Sequence, residues 1–255
     1  MTRLDRSRTF RLVFLGLLVL AAMSCSREPR QAPAPGQTAK TTPVTAEQVA
    51  KTFGVDSFTQ IDAIRYTWNG ELPGINISRT WTWEPKKDQV SYEGKDKDGK
   101  PVKATYVRSQ LKSQPENVKE IDSGFINDNY WLLFPLHAYW DKSATVTDQG
   151  TKQLPLGGGS AELMSVKYPS DGGYTPGDTW DLYIGKDNRV EQMVYHRGGP
   201  KKPSLVSVTW EGYKKAGPLL ISTEHNGNAD GTKVHIFMTD VAVRMPGSAN
   251  WISAQ

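Results

Sequence analysis

Between Ala63 and Tyr106 apolar and polar side chains alternate with a period of two, and no other feature of the chain constrains its fold as tightly. Ile64, Tyr66 and Trp68 alternate with Ala63, Arg65 and Thr67. Ile75, Ile77, Trp81 and Trp83 share a face broken only by Arg79, while Asn76, Ser78, Thr80 and Thr82 take the other. Val90 and Tyr92, then Val102, Ala104 and Tyr106, continue the pattern. Successive strand residues point to opposite sides, so a single apolar face predicts half-buried antiparallel strands. Asn69-Gly70, Pro73-Gly74 and Asp98-Gly99 supply the turns.

Strand patterning returns over 161–168, 179–184, 189–196, 205–210, 219–224 and 234–243, with turns at Gly185–Asn188 and Asn226–Gly231. The stretch between the two sets differs. Residues 115–141 carry compact apolar runs that predict one or two short helices, with Asn127 as a cap and Pro135 as an end or kink. A further short helix is predicted after Thr45, where Thr45-Ala-Glu-Gln48 is a capping box and Gly54 a stop; Val49 and Phe53 form its apolar side. The total is roughly nine to eleven strands, and a sheet that long must curl or close to cover its apolar face. The expected fold class is mainly β (α+β): a single curled antiparallel sheet, or incomplete β-barrel, with short helices as plug or lid.

The amino-terminal segment is read separately. Arg3, Arg6, Arg8 and Arg11 precede Leu12–Met23, twelve residues without a charge. A spanning helix needs roughly 20 apolar residues, whereas a signal-peptide core needs about 7–15. The four arginines against Asp5 account for three of the chain's four net positive charges, so the remainder is nearly neutral. Its lysines and acids are interspersed, as over Glu93–Lys100, which speaks against a nucleic-acid partner. Cys25 is the only cysteine and cannot form an intrachain disulfide. Residues 26–44 are rich in Pro, Ala, Gln and Thr and read as a semi-extended tether.

Ala22-Met23-Ser24-Cys25 resembles the lipobox of bacterial lipoproteins. That resemblance implies diacylglycerol on the Cys25 thiol, cleavage before it and acylation of the new amine. The chain then divides into a signal peptide over 1–24, a lipidated cysteine and flexible tether over 25–44, and a β domain over 45–255. Ser26, where aspartate would mark inner-membrane retention, favours an outer membrane facing the periplasm, if the organism has one. The order of helix, long meander, central helical insertion and second meander resembles the outer-membrane lipoprotein carrier and receptor (LolA/LolB-like) superfamily. The segment Gly124-Phe-Ile-Asn-Asp-Asn-Tyr-Trp-Leu-Leu-Phe-Pro135 is similar to uncharacterised lipoproteins of that class, and Asp181–Val190 resembles their hairpin. The resemblance implies an incomplete barrel plugged by helices, with an apolar hollow able to hold acyl chains.

The residues with most chemical interest are aromatic. Tyr66, Trp68, Ile77, Trp81, Trp83 and Tyr92 should face one way, and Trp131, Phe134 and Trp140 are placed to cap them, with residues 124–141 as a gate. Rings of this kind line apolar ligand sites, and they equally build solid cores. Arg79, in the same face, either meets an anionic headgroup, pairs with an acid under the lid, or points outward at a bulge. The four histidines have no metal-ligand spacing, and Asp96-Lys-Asp98-Gly99 lacks the rest of a calcium loop. No nucleophile elbow, HExxH or P-loop is present, so neither cofactor nor catalysis is expected. The leading expectation is a membrane-anchored, non-catalytic protein binding a lipid or lipid-modified partner. The alternatives are a solid-cored lipoprotein that binds an envelope protein, and a glycan- or lipid-cleaving enzyme using paired carboxylates.

Overall fold

The structure is a computed structural model that describes residues 43–255 apart from 97, 172, 200 and 201; the signal peptide, Cys25 and the tether up to residue 42 lie outside the described residues. The fold starts where the capping box predicts. Helix α1 (Ala46–Thr52) is opened by Thr45, whose Oγ1 accepts from the Gln48 amide at 3.2 Å while Gln48 Oε1 accepts from the Thr45 amide at 2.9 Å. Val49 and Phe53 are buried on its inner side. Gly54 then turns with φ +93°, and a Cβ there would lie 2.4 Å from the Pro218 carbonyl oxygen. Only glycine satisfies both the turn and that approach. A single-turn helix α2 (Val55–Phe58) follows.

The first meander is β1 (Ala63–Leu72), β2 (Ile75–Glu84), β3 (Gln89–Lys95) and β4 (Pro101–Val107). Helix α3 (Glu116–Trp140) leads into β5 (Thr145–Gln153), β6 (Ser160–Lys167), β7 (Thr179–Ile184), β8 (Val190–His196) and β9 (Leu205–Thr209). A small hairpin, β10 (Lys214–Ala216) and β11 (Leu219–Ile221), precedes β12 (Glu224–Ala229), β13 (Thr232–Arg244) and β14 (Trp251–Ser253). All but the small hairpin belong to one antiparallel sheet of 12 strands, ordered β4-β3-β2-β1-β13-β12-β9-β8-β7-β6-β5, with β14 beside β13. Strand β13 joins the two meanders by pairing with both β1 and β12. The sheet is not closed, and its two edges are β4 and β5.

That order dictates the position of α3. It connects the two edge strands, so it must cross the open side of the sheet. At 1.5 Å per residue its 25 residues reach roughly 37 Å. The helix is longer than the one or two short helices expected, and Asn127 lies inside it rather than capping it. The physical reason is that the apolar contacts of the inner face continue through Asn127 instead of stopping there. Pro135 kinks the helix: it offers no N–H, crowds the preceding turn and disfavours helical geometry before it. The backbone departs from helix at Leu133 (φ −123°, ψ 18°).

Other differences have similarly local causes. Strand β5 is mostly exposed and polar, as an edge strand with one neighbour can be, and so carries no alternation signal. The expected strand over 219–224 is two, β11 and β12, and most of the expected turn at Asn226–Gly231 is strand. Asn226, Gly227 and Asn228 look like turn residues, yet a Cβ on Gly227 would lie 1.9 Å from the Ser207 carbonyl oxygen, so the glycine serves a close strand crossing.

Beneath α3 lies His225 on β12, fully buried, its ring 4.0 Å from that of Trp210 and 6.1 Å from that of Trp131. Burial drives its pKa down to about 3. The folded state therefore holds it neutral, while the unfolded chain protonates it near pH 6.5. Stability from this group is complete above pH 6.5 and is lost as pH falls toward 3. Thermal melts between pH 7 and 5 should show the wild-type midpoint dropping more steeply than that of His225→Leu; parallel curves would remove His225 as a source of acid sensitivity.

Candidate functional site

Residues directly paired across an antiparallel sheet share a face. The register pairs Tyr66 with Trp81, Trp81 with Tyr92, and Tyr92 with Ala104; Trp68 pairs with Arg79, Gly70 with Ile77, and Ile64 with Trp83. Tyr66, Trp68, Ile77, Arg79, Trp81, Trp83 and Tyr92 thus stand on one face. Two glycines on that face seat rings of their own strands. A Cβ on Gly70 would lie 2.5 Å from the Trp68 indole, and one on Gly94 would lie 2.1 Å from the Tyr92 hydroxyl. The two rings therefore lie along the strands rather than standing upright.

Helix α3 covers this face with Phe125, whose ring sits 5.6 Å from Trp81 and 5.8 Å from Trp83. Phe125 does the capping assigned in the sequence reading to Trp131, Phe134 and Trp140. Those three turn elsewhere. Trp131 packs against Trp180 and Trp210, Phe134 stacks on Trp180 at 4.4 Å, and Trp140 meets Phe58 at 4.9 Å. The kink before Pro135 and the rotation of the helix carry them to the second meander and to α2.

Three carboxylates fasten the helix. Asp128, whose side chain has no exposure, accepts from Arg79 Nε at 2.7 Å and Nη2 at 2.6 Å, from Trp81 Nε1 at 2.8 Å and from Asn127 Nδ2 at 3.0 Å. Asp122, equally buried, accepts from the Tyr106 hydroxyl at 2.8 Å, Arg108 Nε at 2.9 Å and the Tyr174 hydroxyl at 2.5 Å. At the end of the helix Asp141 accepts from Tyr168 at 2.7 Å and Tyr130 at 3.1 Å, with His137 Nδ1 at 3.0 Å. Burial pushes the Asp128 carboxyl above its ordinary pKa against the pull of Arg79. At Asp141 burial also pushes upward, but His137 and the two tyrosines outweigh it and hold the carboxyl low. Of the three roles open to Arg79, the structure takes the pairing with an acid under the helix. Its guanidinium also lies 4.5 Å over the Trp68 ring.

The helix fills most of the concave side. Tyr66, Trp81 and Phe134 are completely covered, and Trp68 and Trp131 nearly so. The remaining space is a cleft of about 500 Å³ between α3 and strands β2–β4, lined by Arg79, Trp81, Tyr92, Lys95, Val102, Ile121 and Gly124 among others. A second cleft of about 460 Å³ adjoins it through Arg79, Tyr92 and Lys95 and reaches Ile77. Ile77, Arg79 and Tyr92 therefore border open volume, whereas Trp81 only backs it from a covered position and Tyr66 and Trp68 are interior. Phe125, Asp122, Asp128 and Asp141 were not singled out in the sequence. The available signal was Arg79, a charge in an apolar face that required a buried partner, together with acids inside the apolar run of α3. Among the described residues no three His, Cys, Asp or Glu side chains converge on a metal site, and no helix is long and apolar enough to cross a membrane.

Removing one member of a buried pair leaves the other uncompensated. Arg79→Ala strands Asp128 in the core and should cost about 3–5 kcal/mol in urea titrations. Asp128→Asn should cost less, because Arg79 is 24% exposed and can rehydrate. The double variant should lose less than the two single losses together. Additive losses would show that the pair is not coupled.

No family model matches the chain, and no curated protein does. Among solved structures it is similar to a DUF1329 family protein from Desulfovibrio piger, at 7% identity over 80% of this chain and 93% of that one, with a TM-score of 0.43. It is also similar to a domain described as an outer membrane lipoprotein-sorting protein from Vibrio parahaemolyticus, at 9% identity over 81% and 96%, again with a TM-score of 0.43. At these identities no residue role passes from either protein to this chain.

Proposed function

We propose that this protein is a lipid-anchored, periplasm-facing protein of the cell envelope that takes an apolar chain, from a lipid or lipid-modified partner, into the cleft between α3 and β2–β4, with no catalytic step. The cleft itself carries this reading. Its volume of about 500 Å³ lies within the roughly 300–1,000 Å³ of small-ligand sites. Tyr92, Val102 and Ile121 give it apolar walls, and Lys95 supplies a cationic group for a headgroup, beside the acids Asp96 and Glu120. Gly124 keeps the helix side open: a Cβ there would only reach contact distance from Trp81, at 3.8 Å. Loading would widen the cleft by lifting the part of α3 before the Leu133 kink, which polar contacts of Asp122 and Asp128 hold in place. The anchor is Cys25, with the segment up to residue 44 as spacer.

Native mass spectrometry of the purified protein should show copurifying lipid, and vesicles of phosphatidylglycerol should shift its tryptophan emission. Gly124→Leu fills the cleft and should abolish both responses at unchanged secondary structure. A wild-type protein that shows neither response has no lipid site. For the anchor, the wild-type chain should take up radiolabelled palmitate when grown with it and Cys25→Ala should not; equal labelling of the two, or none in the wild type, would exclude acylation of Cys25 as the tether.

One observation favours a second reading, in which a solid-cored protein binds an envelope protein. Ile75 is 53% and Ile77 37% exposed at the β1–β2 hairpin. Crosslinks from this tip to one reproducible partner, without any lipid response, would support that reading over the first.

A further inference from the structure

A groove on the opposite flank of α3 has a different chemistry. It begins as a cleft of about 420 Å³ between the helix, residues 174–178 and strands β7 and β8, with Tyr130, Trp180 and Tyr195 as neighbouring rings. Trp180, almost fully buried, lies 4.5 Å from Tyr195 at a tilt of 45° and 5.9 Å from Tyr130 at 83°, so the three rings back the cleft with edges as well as faces. Tyr174 is 38% exposed, yet its hydroxyl donates to the buried Asp122 carboxylate at 2.5 Å. A solvent-facing ring is thus held in a fixed pose. Its loop is closed by the Gly177 amide on the Pro169 carbonyl at 2.6 Å. Beyond Tyr130, Tyr174 and Thr175, which both spaces share, the groove continues into a cleft of about 580 Å³.

The polar groups are mixed in sign. Asp178 is 95% buried and accepts one bond on each oxygen, from Tyr195 at 2.9 Å and the Gly198 amide at 2.8 Å. Each oxygen retains a second lone pair. Arg197 stands exposed at the rim and provides donors. One acid and one base leave no net charge to select an ion. The exposed Tyr174 ring combined with a donor and an acceptor suits a neutral polyol that has an apolar C–H face.

We propose that this groove is a saccharide-binding site that seats two or more linked sugar units, with Tyr174 as the stacking platform between them and Asp178 and Arg197 as hydroxyl partners. The groove is a different space from the lipid cleft, although Tyr174 is bonded to Asp122 on the helix that borders both.

The test is saturation-transfer NMR and calorimetry on the full chain with cellobiose, N,N′-diacetylchitobiose and the chitin tetramer. At least one disaccharide should receive transfer on its ring protons, and a tetramer of a bound type should bind more tightly. Losing the platform ring in Tyr174→Ala should weaken binding about tenfold. Tyr174→Phe keeps the ring but releases its tether to Asp122 and should weaken binding less; Arg197→Ala, at an exposed position, gives a readout independent of folding. The proposal is overturned if no probe shows transfer at millimolar concentration, or if binding is unchanged in both Tyr174→Ala and Arg197→Ala.

Discussion

A carboxylate without access to water, Asp128, is held by the Arg79 fork and the Trp81 indole, and the arrangement of the whole concave side follows from that contact. Burying a charge is costly unless it is paired and hydrogen-bonded, so Asp128 cannot tolerate displacement in register along the sheet. Apolar packing alone would leave a helix on an aromatic surface free to slide. The Asp128 contact places Phe125 over Trp81 and Trp83. Asp122 and Asp141 repeat the device nearer the two edges of the sheet.

The helix divides what would otherwise be one hollow. A curled sheet whose first and last strands in the path are both edges has an open mouth, and the segment joining those edges must lie across it. Filling the mouth with a helix removes most of the apolar surface from water, which stabilises the fold at about 25 cal/mol per Å². Volume remains along the two flanks of the helix. The flank beside β2–β4 has apolar walls with charged side chains of both signs at its rim, and the flank beside β7 and β8 has tyrosine rings and mixed polar groups. The two flanks therefore suit different ligands, although one element borders both.

The polar fastening also bears on motion. Ion pairs and hydroxyl–carboxylate bonds can be exchanged for water when a segment lifts, whereas a buried aromatic cluster must be opened against the hydrophobic effect. The kink at Leu133 separates a stretch whose carboxylates Asp122 and Asp128 add polar bonds to the packing of Phe125, Tyr130 and Trp131 from one in which Phe134 and Trp140 pack on Trp180 and Phe58.

Much of this was legible without coordinates. The period-two alternation over 63–106 determined which side chains share a face, because strand geometry leaves only two sides to choose from, and Thr45, Gln48 and Gly54 determined where the first helix starts and stops. What required the tertiary structure was everything that joins residues distant in the chain. Edge strand β5 has no apolar face to signal it, and Gly227 resembles a turn until the strand beneath it is seen. Asn127 resembles a cap until the helix is seen to run through it. Arg79 announced only that a partner was needed. That the partner is Asp128, and that Phe125 rather than Trp131 covers Trp81, depends on the angle and rotation at which α3 crosses the sheet. Those are set by the joint packing of both meanders, which no local pattern encodes.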